Sequence, residues 1–485
     1  MAPCIWVDFY AGWPIAMAKR SLLLVHICFF ILGLSACQSS ADEQPTSSSL
    51  AQSAELPEEV TEVVEQATKR NFILITADTM RGDVASIDGG PAYTPTMTKM
   101  RERGWHFRRC YSTSMLTNPS HASIMTSLYS QDHGVYDNSS GIDASHTTLA
   151  EAFAEAGYDT HAVIAFKHLD PHVSRLGQGF SSVSPAPDVE PDALVSVERA
   201  LGWLKARQDK TKPFFMWLHI VDPHAPYEST ALDEERKPLT KVYPMKTAKK
   251  TAPGFQRKHP WYKSVFERYK TTELMQSRYI TEVELVDRGL EILLDGLKSL
   301  KLDDSTGVVL TSDHGENLGE RELFFHHGGL YDSTVHVPLL FHLPWEPGAL
   351  ESEGLVQTVD IAPTLLKLGG VQVPEAMRGL DLAPVADGAS AGRTYAFSEH
   401  LYGLLTSVRN AEHTLIVHNK NSKMFPNYRF KKGREEFLGD KKVPAPSRKA
   451  LKKALAAWKS GKLEVSSVKP ESQDMESLRQ LGYID

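Results

Sequence analysis

Residues 307–343, GVVLTSDHGENLGERELFFHHGGLYDSTVHVPLLFHL, constrain the fold of this 485-residue chain more than any other stretch. They open on an apolar, β-branched run, Val308-Val309-Leu310-Thr311, which predicts a buried strand. Ser312-Asp313-His314-Gly315-Glu316 follows at once, so a carboxylate and an imidazole stand side by side at the strand's carboxyl edge. Open α/β sheets bind their ligands at that edge, and such a pair is a compact metal-binding unit. Gly315 is expected to let the backbone turn sharply away. A strand followed by a polar turn would also account for Asp-His-Gly alone. The adjacent His326 and His327, ahead of a second predicted strand, Val337-Pro338-Leu339-Leu340-Phe341, favour a site.

Other segments supply partners. Asn71-Phe72-Ile73-Leu74-Ile75-Thr76-Ala77-Asp78 predicts a strand that delivers Asp78 to its own carboxyl edge. In Thr117-Asn118-Pro119-Ser120-His121, Asn118 suits a helix N-cap and Pro119 the first helical position, with the helix running to about residue 128. Thr117 then sits just before a helix N-terminus, whose amides and dipole favour anions and acidify a hydroxyl. A divalent cation on that oxygen would acidify it further, as a nucleophile requires. Helices predicted at 147–156 and 192–208 alternate with strands at 159–165 and 213–220, the rhythm of a mostly parallel sheet covered on both faces. The last strand runs into His219-Ile220-Val221-Asp222-Pro223-His224, three ionisable side chains at another strand end. The Lys- and Pro-rich stretch 228–263 reads as a surface excursion, and 278–300 as a long helix against the sheet.

The N-terminus does not belong to that fold. Lys19-Arg20, an apolar run over 21–34 and the ending Leu34-Ser35-Ala36-Cys37 read as a signal peptide, too short to favour a spanning helix. The ending resembles the bacterial lipobox, which implies Met17 as the start and Cys37 as a lipid-modified first residue. Gln38 after it implies outer-membrane sorting. The expected organisation is a leader at 1–36, a polar tether at 37–69, a catalytic body at 70–390 and a smaller C-terminal α+β domain at 391–485. That last domain should hold a hairpin, 406–409 with 414–417, and a basic helix at 441–462. Only Cys110 is left in the body, so no disulfide framework supports it. A formal net charge of −7 gives no sign of a nucleic-acid partner.

SDHGENLGE with FFHHGGLYDSTVHVPLL resembles the late metal motif of the sulfatases, within the alkaline phosphatase superfamily. Asp78 with Met80-Arg81-Gly82-Asp83 resembles the first metal motif, although Thr79 stands where many members carry a second acid. Thr-Asn-Pro-Ser-His aligns with the nucleophile motif, Cys or Ser followed by x-Pro-x-Arg, with Thr117 at the nucleophile and His121 in place of Arg. Threonine is not converted to formylglycine, so none is expected. His224 lies in a segment similar to the family's Pro-His-x-Pro, and His327 aligns with a sulfate-contacting Lys. Residues 359–366, 378–382 and 478–483 resemble further family segments. The resemblance implies an alkaline phosphatase-like α/β fold and one divalent metal on Asp78, Thr117, Asp313 and His314; the imidazole ligand and the missing second acid move that site toward Zn²⁺ or Mn²⁺ rather than Ca²⁺. It implies Thr117 as nucleophile and His224, His326 or His327 for charge and proton transfer. Arg81, Asn118, His121, His219 and Asp222 are expected at the substrate.

The favoured expectation is a phosphate or phosphonate ester hydrolase acting on a small-molecule, glycan or lipid ester, held at the membrane of the cell envelope by its lipid anchor. The alternatives are a true sulfuric ester hydrolase, a phosphoethanolamine-type transferase and a non-catalytic binding lipoprotein.

Overall fold

The computed structural model describes residues 70–228, 238–252, 254–258, 260–400, 403–418, 435–438 and 443–461. The chain divides into two compact units, Met1–Pro57 and Glu58–Asp485, and every described residue belongs to the second. The predicted leader, Cys37, the tether and the closing 478–483 motif lie outside the described residues.

Eight strands form the main sheet: β1 (Asn71–Ala77), β2 (Gly104–Phe107), β3 (Asp159–Val163), β4 (Ser182–Ser184), β5 (Phe214–Ile220), β6 (Thr306–Thr311), β7 (Leu339–His342) and β8 (Ala349–Ser352). Their order across the sheet is β8-β2-β7-β6-β1-β5-β3-β4. β1 lies at the centre, parallel to β5 and β6, and among these strands β7 alone runs antiparallel to its neighbours. The predicted mostly parallel sheet is therefore present.

Successive residues of β1 feed opposite faces, as a strand's period of two requires. Ile73, Ile75 and Ala77 enter one core, with α4 (Ala193–Ala206) and the long α5 (Thr272–Ser299). Phe72 and Leu74 enter the other, with α2 (Thr117–Thr126), α3 (Leu149–Glu155) and α6 (Ile361–Leu368), while α1 (Pro95–Arg101) packs with the first. Each such side chain contributes about 1.5–3 kcal/mol by leaving water, which makes the sheet a rigid platform for its carboxyl edge. Two helices carry side-chain caps. Asp192 accepts from the Val195 amide ahead of α4, and Thr148 with Glu151 forms a capping box on α3.

Three expectations are corrected. Stretch 228–263 is more than a surface excursion: it carries helices Met245–Thr251, Gly254–Lys258 and Pro260–Arg268, and buried Tyr262 donates its hydroxyl to the Phe324 carbonyl at 2.5 Å. The predicted strand at 337–341 is broken at Pro338, which has no amide to give, so a short strand His336–Val337 pairs elsewhere. The long helix begins at Thr272, before the expected 278.

A second sheet, β9 (Ala396–His400), β10 (Leu405–Arg409), β11 (Thr414–His418) and β12 (Glu435–Leu438), is antiparallel throughout. One face packs Val408 and Leu415 on Leu451 and Leu455 of α7 (Ala445–Ser460). The other packs Leu405 and Ile416 on Met115, Leu330, Tyr331 and Val335. At its edge, the Glu399 amide donates to the Thr113 carbonyl at 2.8 Å and Ser398 Oγ to the Ser112 carbonyl at 2.7 Å, four and five residues before Thr117.

Candidate active site

The register of β1 on β6 sets Thr76 opposite Thr311, so Asp78 and Asp313 leave adjacent strands level with one another. Asp313 Oδ1 accepts from the amides of His314 at 2.8 Å and Thr79 at 3.2 Å. Its Oδ2 and both carboxyl oxygens of Asp78 are fully buried and receive no hydrogen bond from a described residue. His314 Nδ1 lies 3.1 Å from the Gly315 carbonyl, which can only accept, so the proton sits on Nδ1 and Nε2 keeps its lone pair. That Nε2 is 3.3 Å from Asp313 Oδ2 and 3.5 Å from Thr117 Oγ1.

Ligand atoms of Asp78, Asp313 and His314 all lie within 4.8 Å of one another. Burial, with Asp313 beside it, pushes the Asp78 carboxyl well above the usual carboxylate range, and burial raises Asp313 and depresses His314. Unpartnered buried carboxylates are costly, and a divalent cation is what removes the cost. The donor set fits the expected metal. Gly315 is needed for space rather than for a turn, since a β-carbon there would sit 2.3 Å from the Ser333 carbonyl oxygen.

Thr117 is the first residue of α2 rather than the residue before it. Leu116 is the N-cap, without a side-chain bond. Asn118 cannot cap, because its amide nitrogen is spent on the carbonyls of Asn138, Ser140 and His168 at 3.1, 3.3 and 2.9 Å. It holds the turn that carries Thr117 in place. His121 lies fully buried under that turn, its Nδ1 donating to the Thr117 carbonyl at 2.9 Å and its Nε2 accepting from Thr76 Oγ1 at 3.0 Å. Thr76 Oγ1 in turn accepts from the Trp217 indole at 2.9 Å. Burial keeps His121 neutral.

Histidines ring the approach. The His327 ring centroid lies 4.5 Å from that of His314 and 5.7 Å from that of His224. Burial, with His327 near, lowers His224 to about 3, and its Nδ1 donates to the Ala225 carbonyl at 2.7 Å. His219 Nε2 stands 3.6 Å from Asp78 Oδ2. His326 is turned into its own loop, where Nδ1 accepts from the Gly328 amide at 3.0 Å. Asp222 follows β5 and is pushed up to about 7 by burial, with Asp192 next. Arg81 is committed inside the protein, donating to Asp83 and Glu320 and to the Glu316 carbonyl at 3.1 Å.

Two residues escaped the sequence reading. His168 is buried beside His224 and His121, whose charges help depress it after burial itself. It follows β3, and its place after a strand's carboxyl end was the available signal. Glu316, inside the central motif, accepts from Tyr227 Oη at 3.1 Å.

The family description "Sulfatase" matches residues 70–371. The chain belongs to the sulfatase family. A second description, "N-sulphoglucosamine sulphohydrolase, C-terminal", matches residues 319–457. Arylsulfatase K of Rattus norvegicus is 25% identical over 389 residues, covering 72% of this chain and 68% of the relative. The Bos taurus protein is 26% identical over 354 residues, covering 65% of each, so the chain spans about two thirds of these relatives. An N-acetylglucosamine-6-O-sulfatase of Bacteroides thetaiotaomicron is 27% identical over 413 residues, covering 68% of this chain and 73% of its own.

Among solved structures, one in complex with its substrate D-glucosamine-2-N,6-O-disulfate aligns with a TM-score of 0.64 at 21% identity, covering 81% of this chain and 98% of that one. The phosphonate monoester hydrolase of Agrobacterium radiobacter aligns with a TM-score of 0.63 at 19% identity, covering 83% and 100%. These two likenesses are of fold. The curated relatives are sulfatases, which favours sulfuric ester hydrolysis over the phosphoester expectation.

Proposed function

We propose that this sulfatase-family chain hydrolyses a sulfate ester carried by a glycan, with Thr117 as nucleophile. The relatives' sulfated substrates support the ester class. The observation that carries the nucleophile is Thr117 Oγ1 at 3.5 Å from His314 Nε2, beside the unbonded oxygens of Asp78 and Asp313. Asp78, Asp313 and His314 would hold a divalent ion, which supplies charge for the ester's oxygens and acidity for the threonine hydroxyl. One imidazole beside two carboxylates favours Zn²⁺ or Mn²⁺ over Ca²⁺.

Thr117 Oγ1 loses its proton to water and attacks sulfur, the S–O bond to the alcohol breaks, and the alcohol oxygen takes a proton from His327. Water then attacks the threonyl sulfate and restores the hydroxyl. The α2 N-terminus, at the attacking oxygen, favours the anionic group. Export and lipid anchoring at Cys37 belong to the same proposal.

The threonine itself favours a second reading, a phosphate or phosphonate ester. Without a formylglycine, the covalent ester is released by water attacking its central atom, which phosphorus accepts more readily than sulfur.

The test is turnover of matched aryl sulfate, phosphate and phosphonate esters, with metal restored after chelation and Thr117→Ala in parallel. Sulfate turnover that falls at least about a thousandfold in the variant is the expected result. Turnover of phosphorus esters alone would establish the second reading. Sulfate turnover that survives Thr117→Ala would overturn the nucleophile.

A further inference from the structure

Glu316 is buried to 1% exposure and is not among the cluster of metal-ligand atoms. Its Oε2 accepts from Tyr227 Oη at 3.1 Å and its Oε1 from the Asn317 amide at 3.0 Å. Tyr227 is itself buried, edge-on to Tyr279 at 5.6 Å and to Phe325 at 6.2 Å, so it cannot swing away. Burial, then Glu316, holds its phenol well above the ordinary range, so it remains a donor. Oε1 also faces His327 Nδ1, at 3.7 Å.

The backbone of His327 is fixed by the next residue. Asn317 Nδ2 donates to the carbonyls of His326 at 2.7 Å and Gly328 at 2.9 Å, one on each side of His327. Ser333 Oγ donates to Asn317 Oδ1 at 2.7 Å and sets the direction of that amide. The main chain of His327 is therefore stapled, and the only freedom left to it is rotation and tautomerism of the ring. A carboxylate whose own rotation is blocked by Tyr227 and Asn317 faces one ring nitrogen.

We propose that Glu316 is a positioning residue for His327: it fixes the tautomer protonated at Nδ1 and presents the other nitrogen, Nε2, to the ester. This rests on the reading of His327 as the group that exchanges a proton with the leaving oxygen. In that step the ring first takes a proton from water at Nε2 and becomes the imidazolium; the Nε2–H bond then breaks as the oxygen leaves sulfur or phosphorus, an O–H bond forms, and the ring returns to the neutral form protonated at Nδ1, on the Glu316 side. A carboxylate that orients an imidazole in this way is worth about 10–100-fold where its loss has been measured around metal-bound histidines.

Two measurements on the metal-loaded protein test the assignment. Imidazole ¹⁵N NMR, with the His327 signals identified by their loss in His327→Ala, reads the tautomer without any turnover. The wild type should show Nδ1 protonated and Nε2 not, and Glu316→Gln should lose that preference. The same tautomer in both proteins would overturn the proposal, even if the hydrolase reading stands. Turnover is then compared on a nitrophenyl ester, whose oxygen leaves unaided, and an alkyl ester of the same acid. Glu316→Gln should slow the alkyl ester about 10–100-fold and the nitrophenyl ester less than about threefold. It should add nothing in the His327→Ala background, since two residues acting as one unit are not additive. Equal losses on both esters, or additive losses in the double variant, would show a merely structural role. Glu316→Asp is the variant of choice if Glu316→Gln does not fold, with the same readings. An inactive wild type with the expected tautomer would overturn the hydrolase reading and leave the positioning intact.

Discussion

Asp313 divides its two oxygens between structure and chemistry. Oδ1 is tied to two backbone amides, and Oδ2 is left bare beside Asp78. Without a cation, two buried carboxyls stand together, and burial with their mutual repulsion raises Asp78 far above its ordinary value. The ion should therefore be a folding ligand as well as a cofactor. An ion at a hundred times its Kd adds about 2.7 kcal/mol to stability, so chelation should lower the thermal midpoint and metal should restore it. In Asp313→Asn the midpoint should no longer respond to metal, while the ion-free protein should be no less stable than ion-free wild type. A midpoint that still rises with metal in that variant would place the ion elsewhere. Thr79, next to Asp78, sits at a φ of 59° with its hydroxyl buried and without a hydrogen bond to a described residue. A β-branched residue is strained in that conformation, and such strain gathers at functional sites.

At the scale of elements, α2 is held at its far end as firmly as at Thr117. Ser127 Oγ donates to the Val359 carbonyl at 2.7 Å and accepts from the Gly379 amide at 2.8 Å. Gly379 is required there, because a β-carbon would lie 2.1 Å from the Val359 carbonyl oxygen. Both segments converge on fully buried Asp360, which accepts from the amides of Gln357 at 2.8 Å and Leu380 at 2.7 Å and from Arg393 Nε through both oxygens. Removing one partner of a buried ion pair costs about 3–5 kcal/mol, so Asp360→Ala should lower urea stability by that amount. A loss below about 1 kcal/mol would show that the node does not hold the helix. The segments 359–366 and 378–382 were legible in the sequence as scaffold, and so were the ends of β1 and β6, because strands buried on both faces read as unbroken apolar runs. The start of α2 was not. Asn118 has the composition of a cap, but its side chain bonds three distant carbonyls that local sequence does not announce. Helices of five to nine residues in the 245–268 stretch were missed because so few turns carry no clear period, and their buried residues answer to the body. His168 and Glu316 were missed for a similar reason: register and packing bring them to the site, not spacing.

Across the whole molecule, the histidines set the response to acid. His133 is fully buried, accepting from the Val135 amide at 3.0 Å and bonded to Ser123 Oγ at 3.1 Å, and burial with His146 nearby lowers it to about 3. His161 stacks on Trp203 at 4.6 Å between Ser182 and Ser184, and burial lowers it to about 4. Burial, then His327, takes His326 and His400 to about 3. In the unfolded chain a histidine titrates near 6.5. Between that value and about 4, the unfolded state therefore binds more protons, and stability falls as pH falls. Each such group contributes up to about 1.4 kcal/mol per pH unit. Asp78 and Asp313 run the other way in the ion-free protein, since a raised folded carboxyl takes up its proton before the unfolded one does. The net slope thus mixes both signs, and the informative quantity is a difference between variants measured in chelator. His161 lies at the β3–β4 edge, bonded to Ser182 and Ser184, and is not part of the Asp78, Asp313 and His314 cluster. In His161→Gln, the fall in urea-unfolding free energy between pH 6 and pH 4.5 should be shallower than in wild type by about 1.2 kcal/mol per pH unit, while stability at pH 8 moves far less with pH in both. Parallel curves for the two proteins would mean that His161 titrates alike folded and unfolded, and that burial does not govern the acid limb of this fold.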